Sequence, residues 1–336
     1  MYQDYLKIFI DAEYPSFIDR YLTTPTLERI KHVTYFCGCD YTKLYHPRFT
    51  YTRFDHSLVV AHMVWHFTHD KAGTIAALLH DVGTPCFAHC IDLALGDYQE
   101  QESSEKPIST IARADTQLMA LLKTDHIKLE DLDNLAKYPI LENKSPRLCA
   151  DRLDGVFSAA FIWLRTHSLQ EIASTYHGLS VLINEQGHPE LGFRDKQIAN
   201  SFVSMVMPYA KEMQMNRDKY TMHFIAKIVK KSLRDQIFQL NDLYTMPEEH
   251  IVKLIASHYP IWSAFTAADH VIKTNRRPQK FYVSSKVKKR NVIPLIQLDG
   301  KYYRINKVSA RAARSYRTLA TFSDAKYAYV KNIAKI

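Results

Sequence analysis

Four polar residues stand in otherwise apolar or helix-forming stretches of the sequence: His56, the adjacent pair His80 and Asp81, and the distant Asp151. Imidazole nitrogens suit transition metals, whereas carboxylate oxygens suit harder cations. A mixed set of two histidines and two aspartates therefore suits one divalent ion of iron, manganese, zinc or magnesium. We predict that these four side chains are metal ligands.

Helices must position these groups. Adjacent residues on a helix point about 100° apart, so His80 and Asp81 can bind one ion only near a helix end or distortion. Gly83 and Pro85 follow directly and predict such an end. Because the other two ligands are remote in sequence, an ion at their meeting point would join three helices.

The order of these residues, together with their flanks, resembles the HD superfamily of metal-dependent phosphohydrolases. The stretches "TRFDHSLVV", "LLHDVGTPCFAHCID" and "ADRLDG" are similar to those of the deoxynucleoside triphosphate triphosphohydrolases, the dGTPase and sterile-alpha-motif/HD group. The resemblance covers residues 25–165 well and continues more loosely toward the C-terminus. It implies the same four metal ligands as the residue chemistry does.

The resemblance also implies roles for other residues. Arg53 and Arg152 fall on phosphate-binding positions, where a guanidinium offers a fixed fork of donors. His89 matches a histidine beside the scissile phosphate, and Asp92 matches the carboxylate behind it. Since these two are i and i+3 on one predicted helix, the carboxylate would orient the ring and raise its pKa, as a general acid requires. We predict that His89 and Asp92 are catalytic.

The sequence departs from this family at several positions. Thr84 and Gln101 replace family histidines, and we predict that both contact substrate phosphate. Asp154 is kept, but Gly155 stands where a tyrosine is expected and Ala159 where an aspartate is expected. In the family that tyrosine and aspartate help to hold the base or sugar, so these departures remove contacts that the family uses to recognise its substrate.

The predicted fold is mainly α, an HD-domain helical bundle over residues 1–275 with a small β-containing (α+β) appendage over residues 276–336. Two early helices should begin near Asp55 and Gly73. Thr245 and Glu248 are spaced as a helix capping box. The appendage is rich in β-branched and aromatic residues, and Asp299-Gly300 predicts a hairpin turn.

Charge is concentrated in the C-terminal part of the chain. Residues 271–316 contain 13 Lys or Arg and one acid, a net charge of +12, which leaves −3 for the rest of a chain whose total is +9. Such a segment could bind a nucleotide effector or nucleic acid, or it could be an ordinary solvated surface. The resemblance further implies a homo-oligomer.

The sequence contains no secretory signal pattern and no run of 18 apolar residues, so we expect no membrane span. The spacing of the five cysteines fits neither a disulfide framework nor a zinc finger. We therefore expect a cytoplasmic protein with reduced thiols.

The resemblance implies hydrolysis of a deoxynucleoside triphosphate to a deoxynucleoside and tripolyphosphate, with one divalent metal ion as cofactor. One alternative is another HD phosphohydrolase, acting on nucleoside monophosphates, signalling nucleotides or nucleic-acid ends. A second alternative, from another class, is a catalytically weak nucleotide- or nucleic-acid-binding protein with a structural metal.

Overall fold

The computed structural model describes residues 1–10, 14–96, 106–284, 291–334 and 336. The first half of the chain contains α1 Tyr2–Leu6, α2 Pro25–Ile30, α3 Arg53–Thr68, α4 Lys71–Leu79, α5 His89–Leu95, α6 Ile108–Ala112, α7 Thr116–Thr124, α8 Leu129–Leu132 and α9 Ala150–Ser158. The second half contains α10 Leu169–His177, α11 Lys196–Glu212, α12 Asn216–Arg234, α13 Asp242–Thr245, α14 Glu248–His258, α15 Ile261–Thr266, α16 Ile305–Val308 and α17 Ala310–Thr321. Short 3-10 turns span Ser16–Ile18, Cys39–Tyr41 and Leu135–Lys137.

In the described part of the chain, seven short strands accompany the helices: β1 Leu179–Ile183, β2 Pro189–Phe193, β3 Ile272–Thr274, β4 Tyr282–Val283, β5 Leu295–Leu298, β6 Lys301–Arg304 and β7 Tyr327–Tyr329. The prediction of a mainly helical protein with a small β-containing C-terminal part is confirmed. Within the described ranges, no helix is long and apolar enough to cross a membrane. All five cysteines are free thiols.

The two early helices form as predicted, with starts slightly earlier than expected. The Thr52 hydroxyl accepts a hydrogen bond from the Asp55 backbone N–H, and the Asp55 carboxylate accepts one in return from the Thr52 N–H, so α3 begins at Arg53. Asp70 caps α4 by accepting from the Ala72 N–H at 3.0 Å. These caps matter for the site because α3 packs against both α4 and α9.

The helix end predicted after residue 79 is confirmed. α4 ends at Leu79, so His80 and Asp81 lie just beyond its last turn. Gly83 is needed there because a Cβ at this position would lie 2.0 Å from the backbone oxygen of Lys106. Farther on, α9 continues directly into a π-helical turn that begins at the buried Ala159.

The predicted capping box of Thr245 and Glu248 is wrong. Thr245 is the last residue of α13, and α14 begins at Glu248 after Pro247 with no side-chain cap. Glu248 is instead drawn into the interior, where its carboxylate accepts hydrogen bonds from the Phe87 N–H at 2.7 Å and the Thr34 hydroxyl at 2.8 Å. A third donor is the Tyr41 hydroxyl at 2.8 Å, and these three buried or partly buried donors outcompete the exposed cap.

The C-terminal strands do not stand apart from the helical region. The four-stranded sheet has the order β1-β2-β5-β6, in which β2 pairs with β5 in parallel and the outer pairs are antiparallel. The predicted turn between β5 and β6 is confirmed, with positive φ at Asp299 and Gly300. A second sheet has the order β3-β7-β4. The division at residue 275 stays a prediction, with one sheet drawing strands from both sides of it.

Candidate metal centre

The structure brings the four predicted metal ligands together. His56 Nε2 lies 3.0 Å from Asp151 Oδ1 and 3.2 Å from His80 Nε2. His80 Nε2 lies 3.8 Å from Asp151 Oδ1. Asp81 Oδ2 completes the group at 3.8 Å from His56 Nε2 and 3.9 Å from His80 Nε2. The side chains come from α3, from the end of α4 and from the first turn of α9, as the sequence predicted.

The Nδ1 atoms of His56 and His80 are hydrogen-bonded away from the centre, so the Nε2 atom of each ring faces the other predicted ligands. His56 Nδ1 lies 2.7 Å from Asp154 Oδ2, and His80 Nδ1 lies 2.6 Å from the Ala77 carbonyl oxygen. Both partners accept hydrogen bonds, so in the neutral imidazoles each Nδ1 carries the proton and each Nε2 carries a lone pair. Two lone pairs therefore face two carboxylate oxygens, an arrangement that a cation stabilises.

Protonation equilibria support the same interpretation. Burial lowers the pKa of His56, but its hydrogen bonds to Asp151 and Asp154 outweigh burial and raise that pKa to about 10. Burial would raise the pKa of Asp81, but Arg53 and His80 hold it well below its usual range. The carboxylates thus stay charged and stabilise positive charge between the imidazoles, which either protons on the rings or a bound metal ion can supply.

The donor set fits a divalent metal ion. Ligands bound at about 2.1 Å lie roughly 3.0 to 3.4 Å apart at neighbouring positions, which matches the two shortest separations here. His56, His80 and Asp151 offer ligand atoms that all lie within 4.8 Å of one another. Asp81 lies slightly farther away because its carboxylate also pairs with Arg53. The Asp151 side chain is 29% exposed, so the centre is open to solvent on this side.

Arg53 lies beside the centre. Its Nη1 donates to Asp81 Oδ2 at 2.8 Å, and its guanidinium carbon lies 4.9 Å from the centre of the Tyr35 ring. Two contacts thus fix the orientation of a buried cation next to the predicted metal ligands. The predicted phosphate contact of Arg53 stays a prediction, and its position suits that role.

The other predicted phosphate-binding residues are placed differently. Arg152 donates through Nε to the Arg147 carbonyl at 2.9 Å, through Nη1 to Glu142 at 2.8 Å, and through Nη2 to the backbone and side-chain oxygens of Asn143. The Thr84 hydroxyl lies 3.2 Å from Asp81 Oδ1, to which it donates. Gln101 lies outside the described residues. The phosphate contacts of all three stay predictions.

The predicted acid pair forms at the start of α5. His89 Nδ1 lies 3.1 Å from Asp92 Oδ2, with the carboxylate fully buried and the imidazole 28% exposed. A buried carboxylate behind the ring fixes the orientation of the imidazole. The catalytic roles of both residues stay predictions.

Two residues that support the centre were not predicted. Asp154 holds His56 in place, and it also accepts hydrogen bonds from the Tyr51 and Tyr5 hydroxyls. Asp154 lies three residues after Asp151 on the same helix face, and this spacing could have predicted that it supports the centre. Glu248 accepts a hydrogen bond from the Phe87 backbone N–H in the loop before His89. The only sequence signal for Glu248 was its position in a segment where the family resemblance is loose.

Comparisons with known proteins show that this chain shares its fold with other proteins. No family model matches the chain. The uncharacterized protein YdhJ of Bacillus subtilis (strain 168) is 23% identical over 299 residues, which is 88% of this chain and 89% of that protein. A hypothetical protein from Aquifex aeolicus has a similar structure, with a TM-score of 0.60, 15% identity and coverage of 93% of this chain and 90% of that one.

A phosphohydrolase from Bacteroides thetaiotaomicron VPI-5482 is also similar in structure. The TM-score is 0.56 at 14% identity, and the similarity covers 97% of each chain. At these identities the likeness shows that the proteins share a fold over nearly their whole lengths.

Proposed function

We propose that this protein is a metal-dependent phosphohydrolase that acts on nucleotides. One observation carries the proposal: four acceptor atoms from three helices converge, with both imidazoles held so that their lone pairs face the carboxylates. Such a centre suits hydrolysis because a divalent cation, when bound, polarises a phosphoryl oxygen and favours ionisation of water. A fold shared with a phosphohydrolase supports the assignment.

The chain's own residues would divide the remaining work between binding and proton transfer. Arg53 is held by Asp81 and the Tyr35 ring, so its charge is oriented before a phosphate arrives. His89 Nδ1 would donate to the Asp92 carboxylate, and the ring held in this way would protonate the departing oxygen. The partial exposure of His89 gives that oxygen access to it.

Deoxynucleoside triphosphates are the substrates that the sequence resemblance favours, with a deoxynucleoside and tripolyphosphate as products. The cation would be iron, manganese, zinc or magnesium, since the two-nitrogen, two-oxygen donor set is compatible with each. This finer assignment rests on the motif order and not on the geometry.

A second candidate is a related phosphohydrolase that acts on a less phosphorylated nucleotide, on a signalling nucleotide or on a nucleic-acid end. It is favoured by the engagement of Thr84 with Asp81 and of Arg152 with Glu142 and Asn143. Groups already paired within the protein contribute less to binding a long phosphate chain, because each new contact must replace an existing one.

Product analysis by anion-exchange chromatography tests both candidates. Purified protein would be incubated with each dNTP and NTP in Mn²⁺, Mg²⁺ or Fe²⁺, beside the variant Asp81→Asn and the surface control Asp235→Asn. Tripolyphosphate lost only in Asp81→Asn supports the triphosphohydrolase. Stepwise orthophosphate release supports the second candidate. No turnover of triphosphates, monophosphates or signalling nucleotides with any of these metals contradicts the enzymatic proposal and favours a binding protein.

The basic C-terminal segment is proposed as the site for a polyanionic partner, either a nucleotide effector or nucleic acid. On α17, Arg311, Arg314 and Arg317 are exposed, and none of them has an ion pair within the described part of the chain. Binding of single-stranded DNA that weakens steeply with salt would support nucleic acid. Salt-insensitive binding, or binding unchanged by charge removal on α17, would contradict it. Assembly as a homo-oligomer is proposed as well.

A further inference from the structure

The two residues directly before His89 have a backbone conformation that residues with a Cβ rarely adopt. φ is +62° at Phe87 and +44° at Ala88, where ψ is −123°. Glycine adopts positive φ freely, whereas a Cβ makes such a conformation costly. α5 begins at His89, so the direction of this imidazole depends on a strained turn. A turn of this kind persists only where the surrounding structure holds it.

One carboxylate from a distant helix holds this turn. Glu248, the first residue of α14, accepts a hydrogen bond from the Phe87 N–H at 2.7 Å through Oε2. Glu248 is only 1% exposed, so water does not weaken this charged hydrogen bond. The Cys86 N–H is bound separately, by the Leu243 carbonyl at 2.8 Å. Glu248 therefore fixes the peptide group between Cys86 and Phe87, where the strained turn begins.

The other oxygen of the same carboxylate is bound to the segment that packs on α3. Glu248 Oε1 accepts from the Thr34 hydroxyl at 2.8 Å and from the Tyr41 hydroxyl at 2.8 Å. Thr34 forms an isolated β-bridge with Thr52, the residue that caps α3. The Glu248 carboxylate thus joins the turn before α5 to the start of the helix that carries His56.

We propose that Glu248 is a positioning residue, which places the His89 ring relative to the metal centre by holding the strained turn at Phe87 and Ala88. This inference rests on the proposed function, because it takes His89 to protonate the departing oxygen of a substrate at that centre. Glu248 acts through one backbone N–H and then through His89. Proton transfer is sensitive to such placement, because the acid must lie within hydrogen-bond distance of the oxygen.

The groups predicted to bind metal and phosphate have supports of their own. The Arg53 N–H donates to the Val33 carbonyl at 2.9 Å, and a capping box fixes the first turn of α3. Removal of the Glu248 carboxylate should therefore displace His89 and leave metal and phosphate binding intact. A residue that only supported the fold would lower stability and would not lower kcat selectively.

The test compares Glu248→Ala with the conservative variant Glu248→Gln. In Glu248→Gln the amide oxygen can still accept from the Phe87 N–H, and the Thr34 and Tyr41 hydroxyls can rotate to accept from the amide nitrogen. kcat, KM and Mn²⁺ affinity would be measured with the nucleotide that the wild type hydrolyses best. We expect Glu248→Ala to lower kcat about 10- to 100-fold, with KM and metal affinity within about 3-fold of wild type. Glu248→Gln should keep kcat within about 3-fold.

Two further variants separate the strained turn from a general loss of stability. Glu212→Ala is the matched control, since this buried carboxylate accepts from the Tyr45 hydroxyl at 2.7 Å and neither residue belongs to the centre. It should lower the unfolding temperature and leave kcat unchanged. Ala88→Gly removes the Cβ that makes the turn costly, so it should raise the unfolding temperature. Combined with Glu248→Ala, it should recover kcat at least about 3-fold over Glu248→Ala alone.

The outcomes separate this inference from the proposed function. A kcat in Glu248→Ala as high as in Glu212→Ala, or no recovery with Ala88→Gly, would overturn the inference while hydrolysis itself stands. If Glu248→Ala does not fold, Tyr41→Phe replaces it, because this variant removes one donor that holds the carboxylate. It should lower kcat about 2- to 5-fold, and an unchanged kcat would overturn the inference.

A different readout is needed if the wild type hydrolyses no nucleotide. The proposed function then fails, and the NMR signals of the His89 ring are compared among the variants instead. Signals that move in Glu248→Ala but stay in place in Glu248→Gln and Glu212→Ala would support the positioning of the ring. Signals that are the same in Glu248→Ala and wild type would overturn it.

Discussion

Asp154 should control metal affinity although it is not a predicted ligand. Its carboxylate accepts from His56 Nδ1 at 2.7 Å and from the Tyr5 hydroxyl at 2.9 Å, and it is fully buried. In Asp154→Asn the amide oxygen can still accept from His56, while the two tyrosine hydroxyls can rotate to accept from the amide nitrogen. The geometry is kept and the negative charge behind the imidazole is lost.

The size of this effect follows from the role of Asp154. Removing a carboxylate behind a metal-bound histidine typically weakens metal binding 10- to 100-fold, or about 1.4 to 2.7 kcal/mol. Calorimetric titration of chelator-treated protein with Mn²⁺ or Zn²⁺ at constant pH measures this directly. We expect Asp154→Asn to bind the ion within that range of weakening, and Asp151→Asn to lose most of the affinity.

A second buried carboxylate provides the matched control. Asp115 accepts from the Leu118 N–H at 2.9 Å and the Thr26 hydroxyl at 2.7 Å, and neither partner belongs to the centre. Asp115→Asn should leave metal affinity unchanged. The reasoning is refuted if Asp154→Asn binds the ion within about 3-fold of wild type while Asp151→Asn does not. If Asp151→Asn also binds normally, the metal centre itself is misplaced.

Three further results are expected. His89→Gln should lower kcat by about 10²- to 10⁴-fold and leave metal affinity unchanged, because the substitution removes only proton transfer. Steady-state kinetics would measure kcat, and calorimetry would measure metal affinity. An unchanged kcat contradicts the catalytic role of His89. Arg304→Met should lower the free energy of unfolding by about 3 kcal/mol, because it removes the guanidinium that donates directly to the buried Glu190 carboxylate and leaves the Arg147 guanidinium 3.9 Å away. A loss within about 1 kcal/mol of wild type in urea unfolding, roughly the value of a surface ion pair, contradicts this expectation. Burial, and next Glu212, raise the pKa of Asp218 to about 8. Since the unfolded aspartate titrates near pH 4, the folded state binds the extra proton between roughly pH 4 and 8 and loses stability as pH rises through that window. Asp218→Asn should flatten this decline in unfolding temperature, and an equally steep decline in the variant contradicts it.

Much of the centre was predictable because its determinants are local. The pair His80 and Asp81 needed a helix end, and Gly83 identified it correctly. The hairpin at Asp299-Gly300 was likewise predictable, since positive φ at two successive residues favours those residue types. The predicted capping box at Thr245 was wrong because this local pattern competed with three hydrogen-bond donors from distant segments, whose positions the sequence does not reveal.

By itself, then, the sequence determined the mainly helical fold class, the helix end at His80 and Asp81, and the chemical types of the four predicted ligands. Only the tertiary structure decided the tautomers of His56 and His80, since these depend on the partners of each Nδ1. It also decided that Arg152 is engaged by its own loop and that Glu248 joins the turn before α5 to the start of α3. The physical reason is range. Caps and turns are governed by neighbours a few residues away, whereas a buried hydrogen bond depends on which distant segments pack together, and the hydrophobic pattern that drives packing carries little information about individual polar contacts.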